Sequence, residues 1–234
     1  DFPVSAITKG SVLRDKSKIS ELALGYGGSL GALKRMGGEK MGLADAEMMS
    51  LVKKWRNANP VIVDMWSEIE RCAHEAVRYH RKVRGTCRNL IFDCDDKYLT
   101  IMLPSGRKLF YSNPHFIDKK IGKSTMPSRV LCYEGIIQET KQWGETDTYG
   151  RKLTENIVQA IARDLIGYSM MQLDRAQFRI VAHIHDECIS EVPFDGKEQQ
   201  YYDMMVALMS TPPDWASDLP LRADGYLTPY YKKD

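Results

Sequence analysis

Four residues at intervals of four, Arg14, Lys18, Leu22 and Tyr26, form the first group whose chemistry can be read from the sequence. On a helix of 3.6 residues per turn, this spacing places their side chains on one slowly drifting stripe. Two cations one turn apart can clamp phosphates, since Lys supplies a mobile point charge and Arg a planar fork. An aromatic ring two turns farther along offers a surface for a base or a sugar. The stripe therefore suits a nucleoside triphosphate, and its plain alternative is a solvated basic helix face.

A second polar group, His183, His185, Asp186 and Glu187, lies between apolar runs in the segment IVAHIHDECISEV. Burying adjacent carboxylates is costly unless a cation neutralises them. Such a pair at a hairpin tip suits Mg²⁺, which takes one or two protein carboxylates and fills its shell with phosphates and water. Two alternatives stay open, an Asp that merely favours the turn and a zinc site on the two histidines, for which no third ligand is obvious.

The elements that must position these residues begin with a helical part. Ser11 is a plausible N-cap for the helix VLRDKSKISELAL, and the glycines of the following GYGG segment end that helix. Apolar periodicity predicts a second helix beginning near Asp45 and a longer one over 59–84.

From about residue 88 the pattern becomes mixed. Short β-rich runs at 89–92 and 98–103, with a Pro-Ser-Gly turn before 108–112, predict a hairpin, while 113–150 is predicted to be irregular. Three further elements complete the expectation: a helix at 152–173, strands at 178–183 and 188–192 around the polar tip, and a helix at 197–209. The predicted fold class is therefore α+β, with subdomains 1–86 and 87–234, the second containing an antiparallel sheet and packed helices.

In order and spacing, these groups resemble the motifs of family A DNA polymerases. The Arg14-to-Tyr26 stripe with its following glycine resembles motif B, the fingers helix, and the sequence His-Asp-Glu at 185–187 resembles motif C, in the palm. Between them, LPSGRKL at 103–109 is similar to the palm hairpin of that family, and RKLTENIVQAIARDL at 151–165 to its primer-template helix. The resemblance covers nearly the whole chain and is closest to the phage-encoded branch, with its ELALGY and ENIVQAIARD strings.

The resemblance implies a role for each motif B residue. Arg14 and Lys18 would contact the β- and γ-phosphates of an incoming dNTP. Leu22 would lie near the sugar, at a position where family members often carry Phe or Tyr, so sugar discrimination is expected to differ. Tyr26 would lie near the templating base.

The resemblance also implies contacts with DNA and metal. Arg151 and Gln159 would touch primer or template in the minor groove, and His185 the primer terminus. Asp186 would bind Mg²⁺ as the catalytic metal ligand, with Glu187 as a less direct catalytic partner. The implied function is DNA-directed DNA polymerase, in which a primer 3′-hydroxyl attacks the α-phosphate of a dNTP at a two-metal site.

One motif of the family has no counterpart in the chain. Motif A, which carries the other metal-binding aspartate, normally precedes motif B, but the thirteen residues before Arg14, DFPVSAITKGSVL, do not match it. We therefore expect a split or truncated polymerase, inactive alone, whose partners are primer-template DNA, dNTPs and an N-terminal segment carrying motif A. The alternatives are a catalytically inactive DNA-binding remnant and a metal-dependent hydrolase that uses His183.

Composition is consistent with a globular protein, at 43% hydrophobic and 27% charged residues. The net charge of +2 is unevenly spread: residues 1–123 hold 22 Lys and Arg against 14 Asp and Glu, and residues 124–234 hold 11 against 17. A basic half favours a polyanionic partner. With no 18-residue apolar stretch, no secretory signal and five cysteines that form no CxxC pair, we expect no membrane association and a location in the cytoplasm of a phage-infected or bacterial cell.

Overall fold

The computed structural model describes residues 11–87, 89–120 and 126–232. Its architecture is α+β, with packed helices and antiparallel sheets, which confirms the predicted fold class. The chain forms two compact units: the first unit comprises Asp1–Met102 and Lys108–Asn156, and the second unit comprises Leu103–Arg107 and Ile157–Asp234. The subdomain boundary predicted near residue 86 stays a prediction.

The first unit begins with four helices: α1 (Val12–Leu24), α2 (Leu30–Arg35), α3 (Asp45–Ala58) and α4 (Pro60–Tyr79). The predicted N-cap is confirmed, because the Ser11 hydroxyl accepts a hydrogen bond from the Arg14 backbone N–H at 3.3 Å. Gly25 caps the other end of α1. Helix α4 ends earlier than predicted, since His80 adopts a left-handed φ of 46° that a helix cannot continue. The short helix α2 was not predicted.

One apolar cluster fixes the orientation of α1. Ala23 and Leu24 of α1 pack with Leu33 of α2 and with Met48 and Val52 of α3, and all five are buried. Burial of this face leaves the opposite side of α1 turned to solvent.

The sheet of the first unit is a six-stranded antiparallel meander. Its strands, in both spatial and chain order, are β1 (Val83–Arg84), β2 (Ile91–Cys94), β3 (Tyr98–Met102), β4 (Lys108–Lys120), β5 (Pro127–Ile136) and β6 (Trp143–Thr148). The predicted hairpin is confirmed as β3 and β4.

The prediction that 113–150 is irregular was wrong, because β4 continues to Lys120 and pairs with β5, which in turn pairs with β6. A register shift between Ser112 and His115, with Asn113 at a φ of 47°, interrupts the period-two pattern that identifies a strand. The strand then ends in three exposed charged residues, 118–120. The apolar alternation used to recognise strands is therefore weak in this part of the chain.

The longest helix, α5 (Gly150–Arg175), begins in the first unit and continues in the second. The second unit also contains a separate two-stranded hairpin, β7 (Arg179–Ile184) and β8 (Glu187–Glu191), followed by α6 (Glu198–Met209), as predicted. Its turn segment 103–107 is fastened to α5 because the side chains of Ser105 and Arg107 both donate to the Asp164 carboxylate. Among the described residues, no helix is both long and apolar enough to cross a membrane.

Helices α4 and α5 meet at Gly150, where the backbones approach closely. A Cβ atom on Gly150 would lie 2.0 Å from the carbonyl oxygen of Trp66, well inside van der Waals contact. The Gly150 N–H also donates to the Glu70 carboxylate at 3.2 Å, which satisfies one of the unpaired donors at the start of α5. Only glycine permits both features.

Gly150→Ala is therefore expected to lower the free energy of unfolding by about 2 kcal/mol, since α5 must move away from α4 to admit the methyl group. Gly167→Ala, farther along α5, is the matched control: a Cβ there meets nothing within 4 Å. We expect it to raise stability by about 0.5–1 kcal/mol through helix propensity. Urea unfolding followed by circular dichroism measures both changes. Equal effects of the two variants would contradict the close approach.

Candidate functional site

The stripe predicted on α1 lies on the solvent-facing side of the helix. The side chains of Arg14 and Lys18 are exposed, and neither forms a hydrogen bond or ion pair with another of the described residues. Leu22 is 49% exposed, which is high for a leucine. Tyr26 lies in the turn after the helix and is partly buried. As far as the described residues go, the two exposed cations can bind an anion from solution.

Arg151 is held against the glycine turn that follows α1. Its guanidinium donates to the Gly27 carbonyl oxygen at 3.1 Å and lies over the Tyr149 ring, 5.4 Å from the ring centroid. Gly27 has a left-handed φ of 74°, and a Cβ atom there would lie 1.8 Å from Cδ of Arg151. The start of α5 and the end of α1, which are 124 residues apart, therefore meet at this contact.

A second arginine, Arg56 of α3, supports the same turn and was missed in the sequence. Its guanidinium donates to the Gly28 carbonyl oxygen at 3.2 Å. The neighbouring Trp55 indole donates to the Glu21 carboxylate of α1 at 2.9 Å. The GYGG segment signals a close approach, but nothing local to it identifies Arg56 as the partner.

The first unit also holds a polar contact between α5 and the sheet. The Asn156 amide donates to the Tyr111 hydroxyl at 3.1 Å, and burial raises the pKa of Tyr111 to about 12. The phenol therefore stays neutral throughout the physiological range, as a positioning group for Asn156. The sequence analysis did not identify Tyr111, because no local pattern distinguishes it from other strand tyrosines.

The predicted metal-binding tip is a two-residue turn between β7 and β8. His185 and Asp186 form the turn, and Glu187 is the first residue of β8. His185 has a φ of 52°, a left-handed conformation that costs a non-glycine residue about 1–2 kcal/mol. Such outliers cluster at functional sites, where surrounding structure maintains them.

The carboxylates of this turn are not buried side by side, so the burial argument made from the sequence was wrong. Asp186 is exposed, whereas Glu187 is partly buried and accepts a hydrogen bond from the Tyr231 hydroxyl at 3.4 Å. The turn forms the tip of the hairpin, where water reaches Asp186 directly. A hard cation that keeps most of its water and phosphate ligands fits a single exposed carboxylate of this kind.

A zinc site on the two histidines fits less well. His183 is exposed instead of packed in the strand, and its Nδ1 lies 3.4 Å from the Arg163 guanidinium, which can only donate. The lone pair on Nδ1 of His183 therefore faces the positively charged Arg163, which disfavours a metal ion at this atom. In the parts of the chain that the structure describes, no three His, Cys, Asp or Glu side chains are grouped closely enough to hold a metal. A complete metal cage would need ligands besides these.

The predicted site residues are thus divided between the two units. Arg14, Lys18, Leu22, Tyr26 and Arg151 belong to the first unit. The exposed side chain of Gln159 belongs to the second unit, together with the turn at 185–187.

The chain is similar to one curated DNA polymerase, that of Bacillus phage SP02. The two are 47% identical over 233 residues, a match that covers 99% of the chain and 34% of the phage protein. The chain thus spans about a third of the length of this relative. No protein-family model matches the chain, and no solved structure matches it.

The contact at Gly27 can be tested with paired glycine substitutions. Both Gly27→Ala and Gly37→Ala place a side chain at a left-handed φ, which costs about 1–2 kcal/mol. A Cβ at Gly37 meets nothing within 4 Å, whereas one at Gly27 collides with Arg151. We expect Gly27→Ala to lower the free energy of unfolding by about 1–3 kcal/mol more than Gly37→Ala. Denaturant titration measures the difference, and equal losses would show that Arg151 does not occupy this space.

Proposed function

We propose that the chain is the fingers-and-palm part of a family A DNA polymerase, and that it supplies the dNTP-binding helix and one catalytic carboxylate. The observation that carries the proposal is the bond from Arg151 to Gly27, which joins the motif B-like helix to the primer-template-like helix. It occurs in a chain that is 47% identical to a phage DNA polymerase.

The α1 stripe supplies the nucleotide contacts in this proposal. Because Ala23 and Leu24 anchor the opposite side of α1 in the core, Arg14 and Lys18 are presented to solvent without local carboxylate partners among the described residues. They bind the β- and γ-phosphates through charge-assisted hydrogen bonds. Leu22 lies against the sugar, and Tyr26 lies near the templating base.

Arg151 is the template contact whose position the fold constrains most. Its aliphatic stem fills the space over Gly27, and its guanidinium is oriented by the Gly27 carbonyl and the Tyr149 ring. A guanidinium held in this way loses little further entropy when it binds a phosphate or a base edge. Gln159, which belongs to the second unit, is the other proposed minor-groove contact, where sequence readout is weak.

Asp186 is the proposed metal ligand, and Glu187 supports it. The exposed Asp186 leaves room for substrate phosphates beside its carboxylate, while Tyr231 holds Glu187 on the neighbouring strand. When bound, Mg²⁺ supplies charge stabilisation to the attacking and leaving oxygens. His185, fixed by its left-handed backbone, positions the primer terminus beside this carboxylate.

A segment carrying motif A completes the site in this proposal. Among the described residues, the hairpin of β7 and β8 has two strands, and it exposes Val181 (47%) and Ile184 (39%). An isolated two-stranded hairpin is marginally stable, and an exposed apolar strand favours coverage by further chain. The relative is about three times longer than the chain, so its remaining length has room for such a segment.

We expect no primer extension by the chain alone with Mg²⁺ and dNTPs, and extension when a polymerase segment carrying motif A is added. In the reconstituted enzyme, Asp186→Asn lowers kcat by at least about 10³-fold, because a metal ligand is lost. Lys18→Ala lowers kcat/KM by about 10–100-fold through loss of a phosphate contact. Lys54→Ala, an exposed lysine on α3, removes the same charge elsewhere and leaves both constants unchanged.

Two outcomes of the primer-extension assay contradict the proposal. Robust extension by the chain alone means that its site is complete without motif A. DNA binding that never supports synthesis, whichever segment is added, favours the inactive DNA-binding remnant.

A further inference from the structure

A cleft rich in arginine lies along the last turns of α4 and the residues just beyond it. Its volume is about 640 Å³, and it is open to solvent. Its lining, called here the arginine cleft, consists of Arg71, His74, Glu75, Arg78, Tyr79 and Arg81. All of these residues belong to the first unit, and the function proposed above uses none of them.

Phe116 of the sheet connects Arg78 in the cleft lining with Arg129, which lies outside that lining on the same ring. Arg78 of α4 and Arg129 of β5 both lie over the Phe116 ring, at 5.9 and 4.8 Å from its centroid. The His74 ring meets the same phenylalanine edge-on, with centroids 5.2 Å apart. Cation–π contacts of this kind orient a guanidinium without neutralising its charge. Phe116 therefore acts as a platform that presents two arginines to solvent.

The charge of the cleft is only partly balanced. The Glu75 carboxylate pairs with both Arg71, at 2.9 Å, and Arg81. Arg78 and Arg129 have no carboxylate partner among the residues that the structure describes, and burial lowers the pKa of His74, which favours its neutral form. Cations near the end of a helix are partly explained by the helix dipole. That effect does not account for Arg129, which comes from a different element.

The surplus charge and its spacing indicate a ligand with several phosphates. Arg71 and Arg78 are two turns apart, or about 10 Å along the helix, so the cleft has room for more than one phosphate. Tyr79 is 59% exposed, and Arg81 lies over one face of its ring, 5.3 Å from the centroid, so a base can stack on the other face. A basic groove combined with accessible aromatic rings is the common arrangement for single-stranded nucleic acid. We propose that the arginine cleft is a binding site for single-stranded DNA.

The position of the cleft suggests which strand it takes. Glu70, His74 and Arg78 follow one another at single turns along α4, and Glu70 accepts the Gly150 N–H, next to Arg151 in sequence. The distance along this face of α4 from Glu70, beside Arg151, to Arg78 is therefore about 12 Å. A DNA strand bound at Arg151 would cover this distance to reach Arg78. In a polymerase, the unpaired part of the template strand is the single strand that would lie at this position. This assignment rests on the proposed function, whereas binding of single-stranded DNA does not.

The test is fluorescence anisotropy of a labelled oligothymidylate with the whole chain, without dNTP or Mg²⁺. Arg78→Ala combined with Arg129→Ala is expected to weaken binding at least fivefold at 50 mM salt. Loss of two phosphate contacts also reduces the salt slope by about 1.4 for a single strand. When the salt is raised from 50 to 200 mM, the wild type should therefore lose affinity by a factor that is about seven times larger than the factor for this variant.

Three matched variants separate electrostatic binding from a structural effect. Lys53→Ala combined with Lys54→Ala removes two exposed positive charges on α3 and should leave affinity within twofold. Arg78→Lys combined with Arg129→Lys keeps both charges and should restore most of the salt slope. Glu75→Gln releases Arg71 and Arg81 and should tighten binding two- to fivefold. Thermal unfolding is expected to give the same midpoint for the wild type and the alanine pair.

The proposal is overturned if the alanine pair binds like the wild type, if the α3 pair loses as much affinity, or if Glu75→Gln weakens binding. Duplex DNA that competes as well as the single strand overturns the single-strand assignment. Failure of primer extension under every condition, with oligothymidylate binding still dependent on Arg78 and Arg129, rejects the polymerase proposal and leaves the cleft intact. Binding that persists in Lys18→Ala shows that the cleft acts separately from the α1 stripe.

Discussion

The close approach of backbone segments at glycine is the constraint on which the rest of the first unit depends. At Gly150, the start of α5 lies against the backbone of α4, and at Gly27 the stem of Arg151 occupies the space of a missing side chain. These positions connect α1, α4 and α5, although the segments are far apart in sequence. Protein interiors are packed densely enough that a single methyl group at either place displaces a helix or the Arg151 side chain.

This packing explains how α1 is held rigidly while its charged side chains stay exposed to solvent. The buried face of α1 and the bonds from Arg56 and Trp55 hold the helix in place, while Arg14 and Lys18 stay exposed without a partner among the described residues. The same principle applies to the arginine cleft, where Phe116 orients two guanidinium groups that no described carboxylate neutralises. On α1 and at the arginine cleft, the positive side chains are exposed to solvent. The ligand proposed for each of them carries phosphates.

The turn at His185 and Asp186 follows a different principle. Its carboxylate is accessible instead of buried, and its hairpin leaves apolar side chains exposed. An exposed aspartate on this ribbon has little preorganisation of its own, so the proposed metal binding depends on what covers the hairpin. The proposed need for a further segment with motif A follows from this local incompleteness as well as from the missing sequence motif.

The sequence by itself determined features that depend on neighbours along the chain. The Ser11 cap and the glycines define α1, the four-residue spacing defines its cationic stripe, and the polar residues between apolar runs define the β7–β8 turn. The second half of β4 and strands β5 and β6 escaped prediction, because a bulge and exposed charges obscure their alternation. Only the tertiary structure decided which distant groups meet: Arg151 with Gly27, Arg56 with Gly28, and Arg78 with Arg129 over Phe116. Such contacts depend on how whole elements pack, and local spacing carries no information about partners that are 28 to 124 positions away.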